Sequence, residues 1–436
     1  PDMTWIIALA VSILLVFSIV IISIAITKFE IFQKLMDKIN LLTRENLTGI
    51  RVIRALNRED FEEKKFVKAN NELTKTDLSI VKVMQLQTPI MLLIFNGTSL
   101  LAIWVGIARL GMDISYLGKM MAFMQYATQV IMSFLFLTML FVMIPRANVS
   151  AKRINGVLMT ESEIQFPEEM TEEPTVKASV EFRHVDFRYG KSEGKVLENI
   201  SFKAEAGKTT AFIGSTGSGK STLINLVPRF FDATAGEILI SGVDIKKYPE
   251  ATLMKRIGYV PQKGYLFAGT VRSNILFGVN EGSIGSMKKA AKVAQAAEFI
   301  NKMPEKYESK IAEGGTNVSG GQRQRLSIAR ALAKEPEILI FDDAFSALDM
   351  KTDSKLREAL KAVTQNTVTL VVAQRISTIR DAEQIIVLDK GKIVGKGSHY
   401  ELLDKCKVYL EIAKSQLSDD EIARELKISK EKAGRK

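Results

Sequence analysis

Three stretches of this chain, residues 5–26, 89–108 and 120–145, contain no charged side chain. Each can cross a hydrocarbon core as a helix, which takes ~20 apolar residues, and only helices or closed barrels satisfy all their backbone polar groups there. The first third is therefore expected to be a helical membrane domain. Residues 28–88, between the first two runs, are polar and carry 12 Lys and Arg, against two in the short connection 109–119. Positive-inside bias puts the long segment in the cytoplasm. Residue 1 then falls on the outer side, and because it is not Met and opens no signal peptide, further membrane helices are expected upstream. Ile31, Leu35, Ile39 and Leu42 recur at helical spacing, which predicts helices running out of the membrane. Gly49 is the expected break between them.

After Pro145 the pattern changes. A Glu-rich segment with Pro167 and Pro174 reads as a linker. Short β-rich runs at 180–187, 210–213, 238–240, 338–341, 367–373 and 384–388 then interleave with helical ones, predicting an α/β domain with a mainly parallel sheet. The expected organisation is a membrane region over 1–155, a linker over 156–175, an α/β domain over 176–415 and a charged, helical tail over 416–436. The net charge is +11, from 60 Lys and Arg against 49 Asp and Glu. These residues are spread along the chain, which suits a membrane surface and gives no nucleic-acid patch. Cys406 is the sole cysteine, so no intrachain disulfide forms and the α/β part is expected in the cytosol. His184 and His399 are too few for a histidine metal site.

Gly214-Ser215-Thr216-Gly217-Ser218-Gly219-Lys220-Ser221 fits the phosphate-loop pattern, between the predicted strand 210–213 and a helix expected from about Thr222. Its glycines let backbone N–H groups surround phosphates, and the helix N-terminus adds partial positive charge. Lys220 is expected to reach the β- and γ-phosphates and the Ser221 hydroxyl to ligate Mg²⁺. Ile338-Leu339-Ile340-Phe341-Asp342 is an apolar strand ending in a carboxylate, suited to hold the same Mg²⁺ through its coordination shell. The fold class expected is a membrane α-helical domain plus an α/β P-loop NTPase domain.

The residues between these motifs narrow the choice of NTPase. Ser319-Gly320-Gly321-Gln322-Arg323-Gln324-Arg325 resembles the signature motif of ATP-binding cassette (ABC) ATPases, placed between the phosphate loop and the Asp342 strand as in that family. Tyr259-Val260-Pro261-Gln262 resembles its Q-loop, Ser346-Ala347-Leu348-Asp349 its D-loop, and Tyr189 the aromatic residue that stacks on adenine. The stretch from Glu45 to Ala55 is similar to the second intracellular loop of ABC exporters, where a coupling helix rests on a nucleotide-binding domain. The resemblance implies a half-transporter in the cytoplasmic membrane, with membrane spans matching the last three of six. It implies that ATP and Mg²⁺ bind between two domains, with Gly214, Ser215, Thr216, Gly217, Ser218, Gly219, Lys220, Ser221 and Thr222 on one side. Ser319, Gly320, Gly321 and Gln322 then face the other subunit's γ-phosphate. Gln262 would lie beside the metal and link the nucleotide to the coupling helix.

Two positions depart from that family. Its general base is normally Glu, and here Asp343 stands there; its switch histidine is replaced by Gln374. Removing one methylene retracts a carboxylate by roughly 1.5 Å, and Gln cannot become a cation. Either the site still hydrolyses ATP, or it is degenerate: it binds ATP, turns it over slowly, and lends an intact signature to a partner that carries Glu and His. The second reading predicts a heterodimeric exporter of small, hydrophobic compounds. A regulatory, nearly non-hydrolysing subunit and a slow homodimeric exporter are the alternatives; a soluble chromosome or DNA-repair ATPase is set aside, because those heads are split by coiled coils. Gln125, Gln129, Met132 and Phe136 share one helical face of the last span and are candidates to contact substrate or a neighbouring helix.

Overall fold

The computed structural model describes residues 4–110, 115–170, 172, 174, 176–190, 194–279, 284–418 and 420–426. They fall into two compact units, Pro1–Glu161 and Ser162–Lys436.

The first unit is four helices: α1 (Thr4–Ala55), α2 (Glu59–Gln85), α3 (Gln87–Leu110) and α4 (Ser115–Leu158). α1 continues for 52 residues, about 78 Å at 1.5 Å per residue, so its apolar half runs without a break into its charged half. α2 returns beside it as an antiparallel hairpin. Lys28 donates to Ser79 at 2.6 Å, Lys38 pairs with Glu72 at 3.3 Å and Lys65 with Glu45 at 3.5 Å. The break expected at Gly49 is not there: Gly49 is inside α1, and the chain turns at Leu56–Arg58, where Asn57 has φ 52°. One exposed glycine costs a helix about 1 kcal/mol, too little to end one whose next turn closes; Asn takes the left-handed conformation that does end it.

Among the described residues, two helical runs, Thr4–Ala55 and Glu59–Ile107, are long and apolar enough to cross a membrane. The expected span 120–145 lies on α4, where part of the side chains fall outside the described residues. Leu14 on α1 meets Met91, Ile94 and Phe95 on α3. Many other large apolar side chains of these helices are exposed, Trp5 and Trp104 among them, an arrangement that is costly in water and neutral in lipid.

The second unit holds two larger sheets. In chain order its strands are β1 (Ser179–Phe187), β2 (Leu197–Glu205), β3 (Thr209–Gly214), β4 (Ala235–Ile240), β5 (Val243–Asp244), β6 (Ile257–Val260), β7 (Gly269–Thr270), β8 (Lys310–Ile311), β9 (Ile338–Asp342), β10 (Val368–Val372), β11 (Gln384–Asp389) and β12 (Lys392–Gly397). Six form a sheet in the order β12-β11-β3-β10-β9-β6, parallel except for the edge strand β12. β3, β9, β10 and most of β11 are buried, which is why they read as near-continuous apolar runs. The sequence did not separate out the second, antiparallel sheet, β2-β1-β4-β5. Its strand β2 alternates buried and exposed residues, and the sheet packs Phe182, Phe202 and Ile238 against Phe212, Ile340 and Leu370 of the parallel sheet.

Two expected boundaries move. α4 extends to Leu158, and the segment after it is pinned to the second unit. The Gln165 carbonyl accepts from Arg229 at 3.1 Å, the Phe166 ring lies under the same guanidinium at 4.6 Å, and Met170 packs on the core. The expected tail begins inside the fold: residues 420–426 are helical, with Ile422 and Glu425 buried, and Ser418 and Glu421 cap one another. The rest of the tail, 427–436, lies outside the described residues.

Candidate functional site

Parallel register gathers the site. Val372 of β10 pairs with Phe212 of β3 and with Asp342 of β9, and Phe341 pairs with Val260 of β6. The carboxyl ends of four strands therefore finish at one edge, and each delivers its next residues there: the phosphate loop after β3, Gln262 after β6, Asp343 after β9 and Gln374 after β10. Crevices at the carboxyl ends of parallel strands are where such sheets bind ligands.

Thr216, Gly217, Gly219, Lys220, Ser221, Thr222, Gln262, Asp342, Asp343 and Gln374 line one cavity of about 360 Å³, together with Val196 and Val372. The sequence reading had placed those ten in one site. Ser319, Gly320, Gly321 and Gln322 do not line it. They open the helix Gly320–Ala333 as a reciprocal cap, in which Ser319 N–H donates to the Gln322 side-chain oxygen Oε1 at 3.0 Å and Gln322 N–H to the Ser319 hydroxyl at 3.3 Å. Tyr189 is half-exposed beside the cradle, its hydroxyl 3.1 Å from that of Thr222.

The loop between β3 and the helix α5 (Lys220–Leu226) needs its glycines. Gly219 has φ 99°, and a Cβ there would stand 2.7 Å from the Leu197 side chain and 3.1 Å from the Val196 carbonyl. At Gly214 a Cβ would lie 2.1 Å from the Leu388 carbonyl. The helix opens at Lys220, two residues before the expected Thr222. Lys220 folds back, its ammonium donating to the carbonyls of Gly214 at 2.9 Å and Ser215 at 2.7 Å. Burial holds its pKa below the usual lysine range, against the pull of Asp343 and Asp342. The loop therefore holds its own cation in readiness for an anion.

The Ser221 hydroxyl donates to Asp342 at 3.0 Å, and Asp342 lies 7% exposed. Burial raises its pKa, partly offset by the Ser221 bond. Asp343 is equally buried and sits at φ 47°, a left-handed conformation Asp tolerates at some cost. One of its carboxylate oxygens accepts from both the Gln262 amide at 3.2 Å and the Gln374 amide at 2.9 Å. Burial raises the Asp343 pKa also, with the Gln262 bond opposing. Two residues escaped the sequence reading as site members. Tyr259 donates to Asn225 at 3.0 Å and lies 3.4 Å from the second oxygen of Asp342. The signals were present: Asn225 is one helical turn beyond Ser221, and Tyr259 is the strand residue three before Gln262.

The donor set suits a hard divalent cation. Ser221 and Asp342 offer oxygens side by side, and Gln262 uses its nitrogen on Asp343, which leaves its carbonyl oxygen. Two adjacent buried carboxylates against one buried lysine also call for a counter-charge. Among the described residues no cluster of three His, Cys, Asp or Glu is present. A cation here would take most of its shell from phosphate and water, the Mg²⁺ habit in nucleotide sites.

Comparison with known proteins agrees with this geometry. Residues 197–346 match the family model described as ABC transporter, and residues 1–134 match the ABC transporter transmembrane region. An uncharacterized ABC transporter ATP-binding protein of Mycobacterium tuberculosis is 42% identical over 419 residues, 95% of this chain and 72% of that protein. An ATP-dependent lipid A-core flippase of Syntrophus aciditrophicus is 36% identical over 395 residues, 90% of this chain and 65% of that one. A solved bacterial Atm1-family ABC exporter with ATP bound superposes with a TM-score of 0.79 at 29% identity, covering 94% of this chain and 73% of that one.

Proposed function

The chain belongs to the ABC transporter family as an exporter-type half-transporter, a transmembrane region fused ahead of an ABC ATPase domain, and from that premise we propose that it is the degenerate-site half of a heterodimeric exporter. It binds ATP and Mg²⁺ at its own phosphate loop, hydrolyses that ATP slowly, and presents Ser319, Gly320, Gly321 and Gln322 to nucleotide on a partner carrying Glu and His. The observation that carries the reading is the Asp343 carboxylate, short by a methylene and gripped through one oxygen by Gln262 and Gln374. A base occupied by two donors must release one before it accepts a proton from water.

In this reading Lys220 leaves its loop carbonyls for the β- and γ-phosphates, and the backbone N–H groups around Gly219 close on the anion. A bound Mg²⁺ would supply charge neutralisation for the phosphate chain. Ser221, Asp342 and Gln262 would hold it, and Tyr259 keeps the Asp342 carboxylate in place. Tyr189 supplies a ring face for adenine. Closure of two such domains drives the membrane helices between inward- and outward-facing states. The substrate is a small hydrophobic or lipid-like compound, a reading supported by the lipid A-core flippase among the relatives. Gln125, Gln129, Met132 and Phe136, all exposed on one face of α4, are its proposed contacts. The membrane is a cytoplasmic one, with the ATPase domain on the cytosolic side.

The test is ATPase activity of the full chain reconstituted alone and with its partner. Low activity alone, rescued by the partner and lost when the partner's base is removed, is the expected result. Robust activity of the chain alone would make it a homodimeric exporter.

A further inference from the structure

The segment that follows Gln374 buries Ile376 and Ile379 in the core. Arg375 opens the four-residue helix Ile376–Ile379 with no side-chain cap, which leaves the Ile376 N–H to find an acceptor outside the helix. The acceptor comes from 40 residues downstream, in the stretch to which the sequence assigned no role. The Gln416 side chain accepts from the Ile376 N–H at 2.8 Å through its oxygen and donates to the Gln374 carbonyl at 2.7 Å through its nitrogen. One amide thus spans the peptide units on both sides of Arg375. Gln374, between this brace and the nucleotide cavity, points its own amide at Asp343.

The far end of the helix is held by the same C-terminal segment. Arg380 pairs with Glu425 at 3.0 Å, Glu425 also meets the His399 ring, and the other ring nitrogen of His399 lies 2.7 Å from the Tyr409 hydroxyl. His399, Tyr409 and Glu425 are all buried. Glu425 is therefore fixed, and Arg380 with it. Tyr409 and Ala413, with Leu417 and Leu426 packed against the same cluster, seat the segment on the α/β core. Both family-model matches end before it, at residues 134 and 346.

We propose that Gln416 is a positioning residue: with the Arg380–Glu425 pair it sets the backbone that carries Gln374, so that the C-terminal segment holds the switch side chain against Asp343. It touches no nucleotide and acts through Gln374. The inference rests on the proposed site only in taking Gln374 as a contact of the nucleotide.

Amide exchange of the full reconstituted transporter reads the brace without any turnover. In Gln416→Ala, amides 374–378 are expected to exchange roughly three- to tenfold faster, the loss of one hydrogen bond, with β10 unchanged. Gln416→Glu keeps the acceptor for Ile376 but not the donor for Gln374, and should fall between. In ATPase assays with the partner's base removed, Gln416→Ala should raise kcat at this site roughly three- to tenfold, because Gln374 then grips Asp343 less firmly, with KM for ATP within twofold. The gain should vanish in a Gln374→Ala background, because the two residues act as one unit. Unchanged exchange at 374–378, faster exchange spread over the whole domain, or an undiminished gain on top of Gln374→Ala would each overturn the proposal. A slow or fast site leaves the exchange result untouched, so failure of the degenerate-site reading and failure of the brace are separate outcomes.

Discussion

Lengthening one side chain tests the central reading. In Asp343→Glu the carboxylate advances by roughly 1.5 Å, toward the cavity it already lines with Lys220, Gln262 and Gln374. Two terms add. The native carboxylate must free an oxygen held at 3.2 Å by Gln262 and 2.9 Å by Gln374; a hydrogen bond to a charged group is worth about 1.5–3 kcal/mol, or roughly 10- to 10²-fold in rate. The regained reach restores contact with the attacking water, and a positioned base contributes about 10²–10⁴-fold. Asp343→Glu alone should therefore raise hydrolysis at this site by at least about tenfold, and Asp343→Glu/Gln374→His by about 10²–10⁴-fold. The assay is single-turnover hydrolysis in proteoliposomes with the partner's base removed, so that the product comes from this site. ATP binding, followed by a fluorescent analogue, should stay within threefold of wild type, since phosphate loop and adenine contact are untouched. Turnover of the double variant within threefold of wild type would refute the reasoning: neither reach nor the switch residue would then limit the site.

Three further outcomes follow from single contacts. Gly219→Ala places a Cβ 2.7 Å from the Leu197 side chain at φ 99°; it should destabilise the domain by about 1–3 kcal/mol and abolish ATP binding, seen as loss of the ATP-dependent rise in Tm. Asp186 is held below the usual carboxylate range by the Lys195 ammonium first and the Asn199 N–H second. A depressed folded pKa stabilises above the unfolded value, ~3.9, and the contribution disappears as pH falls through the folded one. Asp186→Asn should thus lower the denaturation midpoint at pH 7, and the difference from wild type should shrink as pH falls below the usual carboxylate range. Gln125→Ala/Gln129→Ala should alter substrate-stimulated ATPase activity and leave basal activity unchanged; unaltered stimulation removes that face of α4 from the substrate path.

Local physics made much of this protein legible. A charge-free run of membrane length admits one kind of structure, because backbone groups in lipid must satisfy themselves. Glycine spacing in the phosphate loop is likewise a backbone requirement written at fixed offsets, and β3, β9 and β10 read as buried strands from a few residues each. The turn at Asn57 was missed because a helix ends where the conformation closes and not at the nearest glycine. The antiparallel sheet β2-β1-β4-β5 was missed as a separate layer because strand partners lie in register across the fold and leave no local period.

The sequence by itself therefore determined that the chain enters a membrane, that an α/β domain follows, and which residue types stand at the phosphate, metal, base and switch positions. Tertiary structure alone decided how they meet. Parallel register brings Ser221 to Asp342 across 121 residues and Gln374 to Asp343 across 31. It also puts both Gln262 and Gln374 on one carboxylate oxygen, while packing of the C-terminal segment seats Gln416 on the peptide groups flanking Arg375. Such contacts are set by strand order and by the closing of the core, and a contact between distant residues carries no periodicity that a linear reading can detect.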